Sequence, residues 1–159
     1  MITPFFRVDN RLLHGQIIAT WLPYLRTRHV LVVSDQVPEN ALQISMFEMI
    51  VPSGTSFTAL PVATAGPWLV ARRAGREPVL VLLETVEDAV RLFATHPFTE
   101  LNIGNVHHGE DTRCFTHAVY LTKPQIEQLQ GLMRKGVHVE VRSLPDETPI
   151  DLRRACKEG

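Results

Sequence analysis

The sequence is poor in the features that mark specialised protein classes. It has two cysteines, Cys114 and Cys156. They lie far apart and outside any C-x-x-C pair, so neither a disulfide framework nor a zinc pattern follows. No apolar run approaches the roughly 18–20 residues that a membrane span needs. The opening MITPFFRVDN has no basic region ahead of an apolar one, so no signal peptide is expected. Neither sign of charge is in excess. The net charge of −1 argues against nucleic acid or an anionic membrane as the main partner, since both call for a basic surface. There is no G-x-G-x-x-G, no P-loop and no G-x-S-x-G elbow, which argues against nucleotide binding and serine-hydrolase chemistry. What remains is a chain of 159 residues with 45% hydrophobic content, enough for one domain with a sizeable core. The expectation is a soluble, cytoplasmic protein whose contact with a membrane comes through a partner.

Apolar runs set the framework. Val30–Ser34 and Val79–Leu83 are continuous and rich in β-branched residues or leucine, as strands buried on both faces are. Ile2–Val8, Ser56–Leu60, Glu100–Ile103 and Thr116–Leu121 read as further strands. Val137–Arg142 alternates apolar and polar residues and reads as an exposed edge strand, the basis for expecting a homodimer. Between them lie helical stretches: Gln16–Leu25, Pro38–Ile50, Val62–Gly75, Val86–Ala94 capped by Thr85, and Lys123–Lys135 stopped by Gly136. Gly66-Pro67 is expected to kink the third helix or delay its start. Met46, Phe47 and Met49 read as core packing. Arg72, Arg73 and Arg76 read as a solvated helix end. Strands alternating with helices imply a single α/β domain, an open and mainly parallel sheet with helices on both faces. A polar tail from about residue 145 holds a last helical turn near Leu152–Cys156.

In such a sheet, ligands bind beyond the carboxyl ends of the strands. The loops expected there carry Asp9 to Gln16, Asp35, Glu84 and Gly104 to Gly109. The first is the most telling: Arg7-Val8-Asp9-Asn10-Arg11-Leu12-Leu13-His14-Gly15-Gln16 joins a strand to a helix. The N–H groups of a helix start are free, so such a junction receives anions. A histidine there can carry a phosphoryl group, with arginines to hold its oxygens. The bland alternative is a surface histidine beside a solvated ion pair. His107-His108 invites a metal, but two adjacent histidines do not fill a zinc site. No metal or cofactor is called for.

RVDNRLLHGQI also resembles the R-I-D-D-R-L-I-H-G-Q-V motif of enzyme IIB of the mannose/fructose/sorbose class of the sugar phosphotransferase system (PTS). Leu101-Asn102-Ile103-Gly104-Asn105 resembles that family's L-N-V-G-G. Two positions depart from it: Asn10 stands where the family usually has Asp, and Asn105 where it has the second Gly. The resemblance implies that His14 is phosphorylated, as a pros-phosphohistidine. It implies enzyme IIA as donor, and the membrane components IIC and IID as holders of the accepting sugar. Arg11, with the amides near Gly15 and Gln16, is expected to bind the phosphate. Arg7 and Asp9 are expected to orient the loop, with Asp35, Gly104 and Asn105 in support. Gly104 is expected to let the backbone approach the phosphate. A rival role makes Arg11 a structural partner of Asp9. Two other readings stay open. One is a regulatory IIB-type protein phosphorylated on His14 without serving transport. The other is a small-molecule enzyme on a flavodoxin-like sheet, which has no cofactor signature in its favour.

Overall fold

The computed structural model describes residues 4–72 and 77–158. Six parallel strands and one short antiparallel strand form the main sheet. In chain order the strands are β1 (Phe5–Asp9), β2 (His29–Val33), β3 (Ser56–Leu60), β4 (Leu80–Leu83), β5 (Glu100–Asn105), β8 (His138–Val141) and β9 (Ile150–Asp151). Their spatial order is β3-β2-β4-β1-β5-β8-β9. β1 therefore lies centrally between β4 and β5, and its carboxyl end is where the side chains of three loops can meet.

Two apolar layers close the sheet. On one face, α3 (Val62–Arg72), α4 (Val86–Thr95), α5 (Lys123–Arg134) and α6 (Leu152–Ala155) pack over a core that includes Phe6, Val8, Val81, Leu83, Leu92, Ile103, Leu129 and Val141. On the other face, a π-helical segment Ile17–Trp21 runs into α1 (Leu22–Leu25), and α2 (Ala41–Ile50) follows. These cover Val30, Val32, Leu80 and Leu82 with Ile17, Trp21 and Phe47. The helix ends follow their sequence signals. Thr85 accepts from the Asp88 amide, Thr122 and Gln125 form a reciprocal capping box, and Gly136 takes φ +95° after α5.

Three expectations are corrected. Met46 and Met49 are exposed, as are Leu42 and Ile50, and only Phe47 of this set is buried. α2 is apolar nearly all round, so its residue types do not disclose that it seats on the sheet mainly through Phe47, with Ile44 and Val51 packed beside it. The single strand read at Thr116–Leu121 is an antiparallel hairpin, β6 (Thr112–Thr116) and β7 (Val119–Thr122). β8 is not a bare edge: β9 pairs with it, Glu140 opposite Asp151 and Val141 opposite Ile150. The expectation of a homodimer through a bare β8 edge therefore loses its basis. The last helical turn expected near Leu152–Cys156 is present as α6, with Leu152 fully buried.

α3 runs through Pro67. The end of the helix expected at Val62–Gly75, with Arg73 and Arg76, lies outside the described residues, as do the first two residues of the strand expected at Ile2–Val8. Arg72 is described, and its guanidinium stacks on the Trp68 ring at 4.5 Å.

Candidate functional site at the carboxyl end of β1

β1 alternates, placing Phe6 and Val8 in one core and Arg7 and Asp9 toward the opposite face. Arg7 and Asp9 both have 0% exposure. A buried charge persists only when paired and hydrogen-bonded, and each has its partners. One Arg7 nitrogen donates to Asn102 Oδ1 at 2.9 Å and to the Arg142 carbonyl at 3.0 Å, and the other donates to Asp9 Oδ2 at 3.1 Å. The guanidinium stacks on Trp21, 5.0 Å from the ring centroid. Trp21 is held in turn by its indole N–H, which donates to the Ser143 carbonyl at 3.0 Å.

Asp9 is the hub. Besides Arg7 it accepts from the Arg11 amide at 3.0 Å, Arg11 Nε at 3.2 Å and a terminal Arg11 nitrogen at 3.3 Å. The last contact is His14: its Nε2 lies 3.2 Å from Asp9 Oδ2. Burial pushes the Asp9 carboxyl up, but hydrogen bonds from His14 and Arg11 and the charge of Arg7 outweigh it and lower its pKa to about 2. An ionised carboxylate only accepts, so His14 Nε2 must carry the proton. In neutral imidazole the lone pair is then on Nδ1. His14 is 19% exposed, so the ring is fixed from within and open on one side.

The loop holds this arrangement at some cost. Leu12 adopts φ 58°, a left-handed conformation that disfavours a side chain with a Cβ. The Leu12 amide donates to the Asp9 carbonyl at 2.9 Å, and the side chain is buried in the core beside Leu13 and Ile17. The Ile18 amide donates to the His14 carbonyl, so the helix begins at His14 and the amides of Gly15 and Gln16 fall in its first turn, without intrahelical acceptors. A Cβ on Gly15 would meet nothing within 4 Å.

Other expected residues divide. Arg11, with a side chain 38% exposed, is bound to Asp9 and to Gln16 Oε1 at 3.3 Å. Gly104 belongs to the site for a reason other than the one expected: a Cβ there would overlap the Arg7 guanidinium. Asp35 works elsewhere. It accepts from the Val62 amide at 3.0 Å, capping α3, and pairs with Arg91 at 2.7 Å. Those hydrogen bonds lower its pKa, the Arg91 contribution being the largest. The imidazole of His108 packs edge-on against Tyr120. Among the described residues no group of three or more His, Cys, Asp or Glu side chains converges as a metal site would require.

Residue-by-residue reading of the sequence missed three supports. Asn102 links Arg7 to Glu140, to whose Oε1 it donates at 3.1 Å. Arg142 closes over Trp21, 5.2 Å from its centroid. Asn10 donates to the Glu84 carbonyl and accepts from the His107 amide, both at 2.7 Å, so one carboxamide ties together the loops after β1, β4 and β5. An aspartate could not make the first of these bonds. The available signal was polar residues at the inward positions of strands otherwise filled with Val, Ile and Leu.

The chain is similar to proteins already described. The fructose-specific EIIB component of the PTS from Bacillus subtilis is 27% identical over 146 residues, covering 91% of this chain and 90% of that protein. The mannose-specific EIIAB component of Escherichia coli is 24% identical over 153 residues, 96% of this chain and 47% of that longer protein. The IIB domain of the sorbose permease from Klebsiella pneumoniae superposes with a TM-score of 0.88 at 20% identity, over 99% of this chain and 98% of that one. With residues 3–158 matching the family model for the PTS system sorbose subfamily IIB component, the chain belongs to that family, which carries out phosphotransfer.

Proposed function

We propose that this chain is a phosphocarrier that accepts a phosphoryl group on Nδ1 of His14 from a phosphorylated IIA protein. It then passes the group to a sugar held by membrane IIC and IID components. The observation that carries the reading is the contact between His14 Nε2 and the buried, ionised Asp9. It fixes the tautomer, holds the ring, and leaves the Nδ1 lone pair as the nucleophile. Phosphoryl transfer needs in-line positioning and charge compensation rather than covalent help from the surroundings. Arg11 and the first-turn amides of Gly15 and Gln16 supply the compensation. Arg11 holds Asp9 in the resting protein and, being partly exposed, turns one edge of its guanidinium to the incoming oxygens.

A donor that is itself a phosphohistidine explains why no nucleotide or metal is called for. The EIIAB name of the mannose relative supports a IIA partner. In this reading the membrane components hold the sugar and this chain works beside them on the cytoplasmic side; no helix among the described residues is long and apolar enough to cross a membrane. The test is intact-protein mass spectrometry in alkaline buffer after incubation with phospho-IIA. The wild type gains one phosphoryl group and His14→Ala gains none. Label on His107 or His108 instead would overturn the assignment.

A further inference from the structure

β5 has a bulge beside the site. Arg7 lies opposite Asn102, Val8 opposite Ile103, and Asp9 opposite Asn105, so Gly104 is the extra residue. Residues facing each other on paired parallel strands project to the same side of the sheet. The bulge thus turns Asn105, together with Gly104 whose Cβ direction meets Arg7, to the side of Asp9, the group that holds His14. The Asn105 backbone is fixed there, since its carbonyl accepts from the Asn10 amide at 3.0 Å. The residue is 9% exposed, and its buried Nδ2 has no hydrogen-bond partner among the described residues. Neighbouring Asn10 and Asn102 both use their side-chain amides as donors. A buried donor left unpaired is costly, and folded proteins seldom keep one without a use.

We infer that Asn105 is a ligand of the phosphoryl group, its Nδ2 donating to a phosphoryl oxygen at His14. This rests on the phosphocarrier reading above. In the uptake step, the Nδ1 lone pair of His14 forms the new N–P bond as the donor's P–N bond breaks. The released electron pair stays on the donor imidazole. The phosphoryl oxygens keep their charge throughout, and Asn105 donates a hydrogen bond to one of them without giving up a proton. The donor is unsatisfied in the resting protein because its acceptor arrives with the phosphate.

This role has a signature that a structural one lacks. Removing a structural amide lowers stability. Removing an unpaired donor leaves the resting protein as stable or more so, while transfer suffers. The experiment compares wild type with Asn105→Ala by single-turnover uptake from phospho-IIA, by thermal denaturation, and by the side-chain amide signal of Asn105 before and after phosphorylation. A charge-assisted hydrogen bond corresponds to a loss of roughly ten- to a hundredfold in rate. The expected result is that loss, an unchanged or raised melting temperature, and a displaced wild-type amide signal on phosphorylation. Equal uptake by wild type and variant overturns this inference alone. A wild type that takes up no phosphate overturns the phosphocarrier reading and this inference with it. Should Asn105→Ala be destabilised, the wild-type amide signal decides: displacement on phosphorylation supports the role, and an unmoved signal refutes it.

Discussion

Replacing Asp9 by asparagine keeps the shape of the hub and removes its charge. Asp9 accepts hydrogen bonds from Arg7, Arg11 and His14. Arg7 is wholly buried and cannot move to water without opening the sheet face. It keeps its bonds to Asn102 and the Arg142 carbonyl but loses its only counter-charge in direct contact among the described residues. Breaking a buried pair from one side costs about 3–5 kcal/mol. A domain of this size is stable by about 5–15 kcal/mol in total, so Asp9→Asn should fold but melt roughly 6–20 °C lower. Transfer should fall as well, because an amide can orient either its oxygen or its NH2 toward His14 and no longer requires the proton to sit on Nε2. Thermal denaturation and the imidazole nitrogen shifts of His14 measure the two effects separately. A variant that melts with the wild type and keeps the Nε2–H tautomer would refute the hub.

Acid should expose the same group. The Asp9 pKa falls from the ordinary 3.8 to about 2 on folding, so its contribution is fully present above about pH 4 and is lost as the pH falls through about 2. The stability difference between wild type and Asp9→Asn should shrink by about 2 kcal/mol between pH 5 and pH 2; urea unfolding that shows a constant difference contradicts this. Gly104→Ala places a methyl group in the Arg7 guanidinium and should lower the melting temperature more than alanine at Gly15, where the space is open; equal effects would refute the packing argument. Arg11→Lys keeps the charge and loses the two parallel donors, so transfer should slow about tenfold or more, with a modest drop in melting temperature from the lost contacts to Asp9. Normal transfer by a destabilised Arg11→Ala would leave Arg11 a purely structural role.

The alternation of buried strands and helices was legible because each element carries its own signal. Val30–Val33 and Leu80–Leu83 are apolar on both faces, and Thr85, Thr122 and Gly136 mark helix ends. The β6–β7 hairpin was not, because Arg113 and Cys114 are both exposed and show no alternation. β9 was missed because a two-residue strand has no periodicity. At the site, the loop from Asp9 to Gln16 stood out by residue type alone. The partners did not: Asn102, Arg142 and the β5 bulge depend on strand order and register, which a single sequence does not contain. Asp35 shows the converse. Its position after a buried strand invited a place at the site, and a helix N-terminus and Arg91 took it instead.

The most direct test of the central claim is the phosphorus spectrum of the phosphorylated protein. On the proposed phosphocarrier reading, Asp9 holds the proton on Nε2 of His14 and the phosphoryl group is expected on Nδ1. Phosphorus NMR of the wild type, denatured in alkali after labelling from phospho-IIA, should show pros-phosphohistidine and nothing at the tele position. A tele signal, or a phosphohistidine that survives in His14→Ala, would contradict the account.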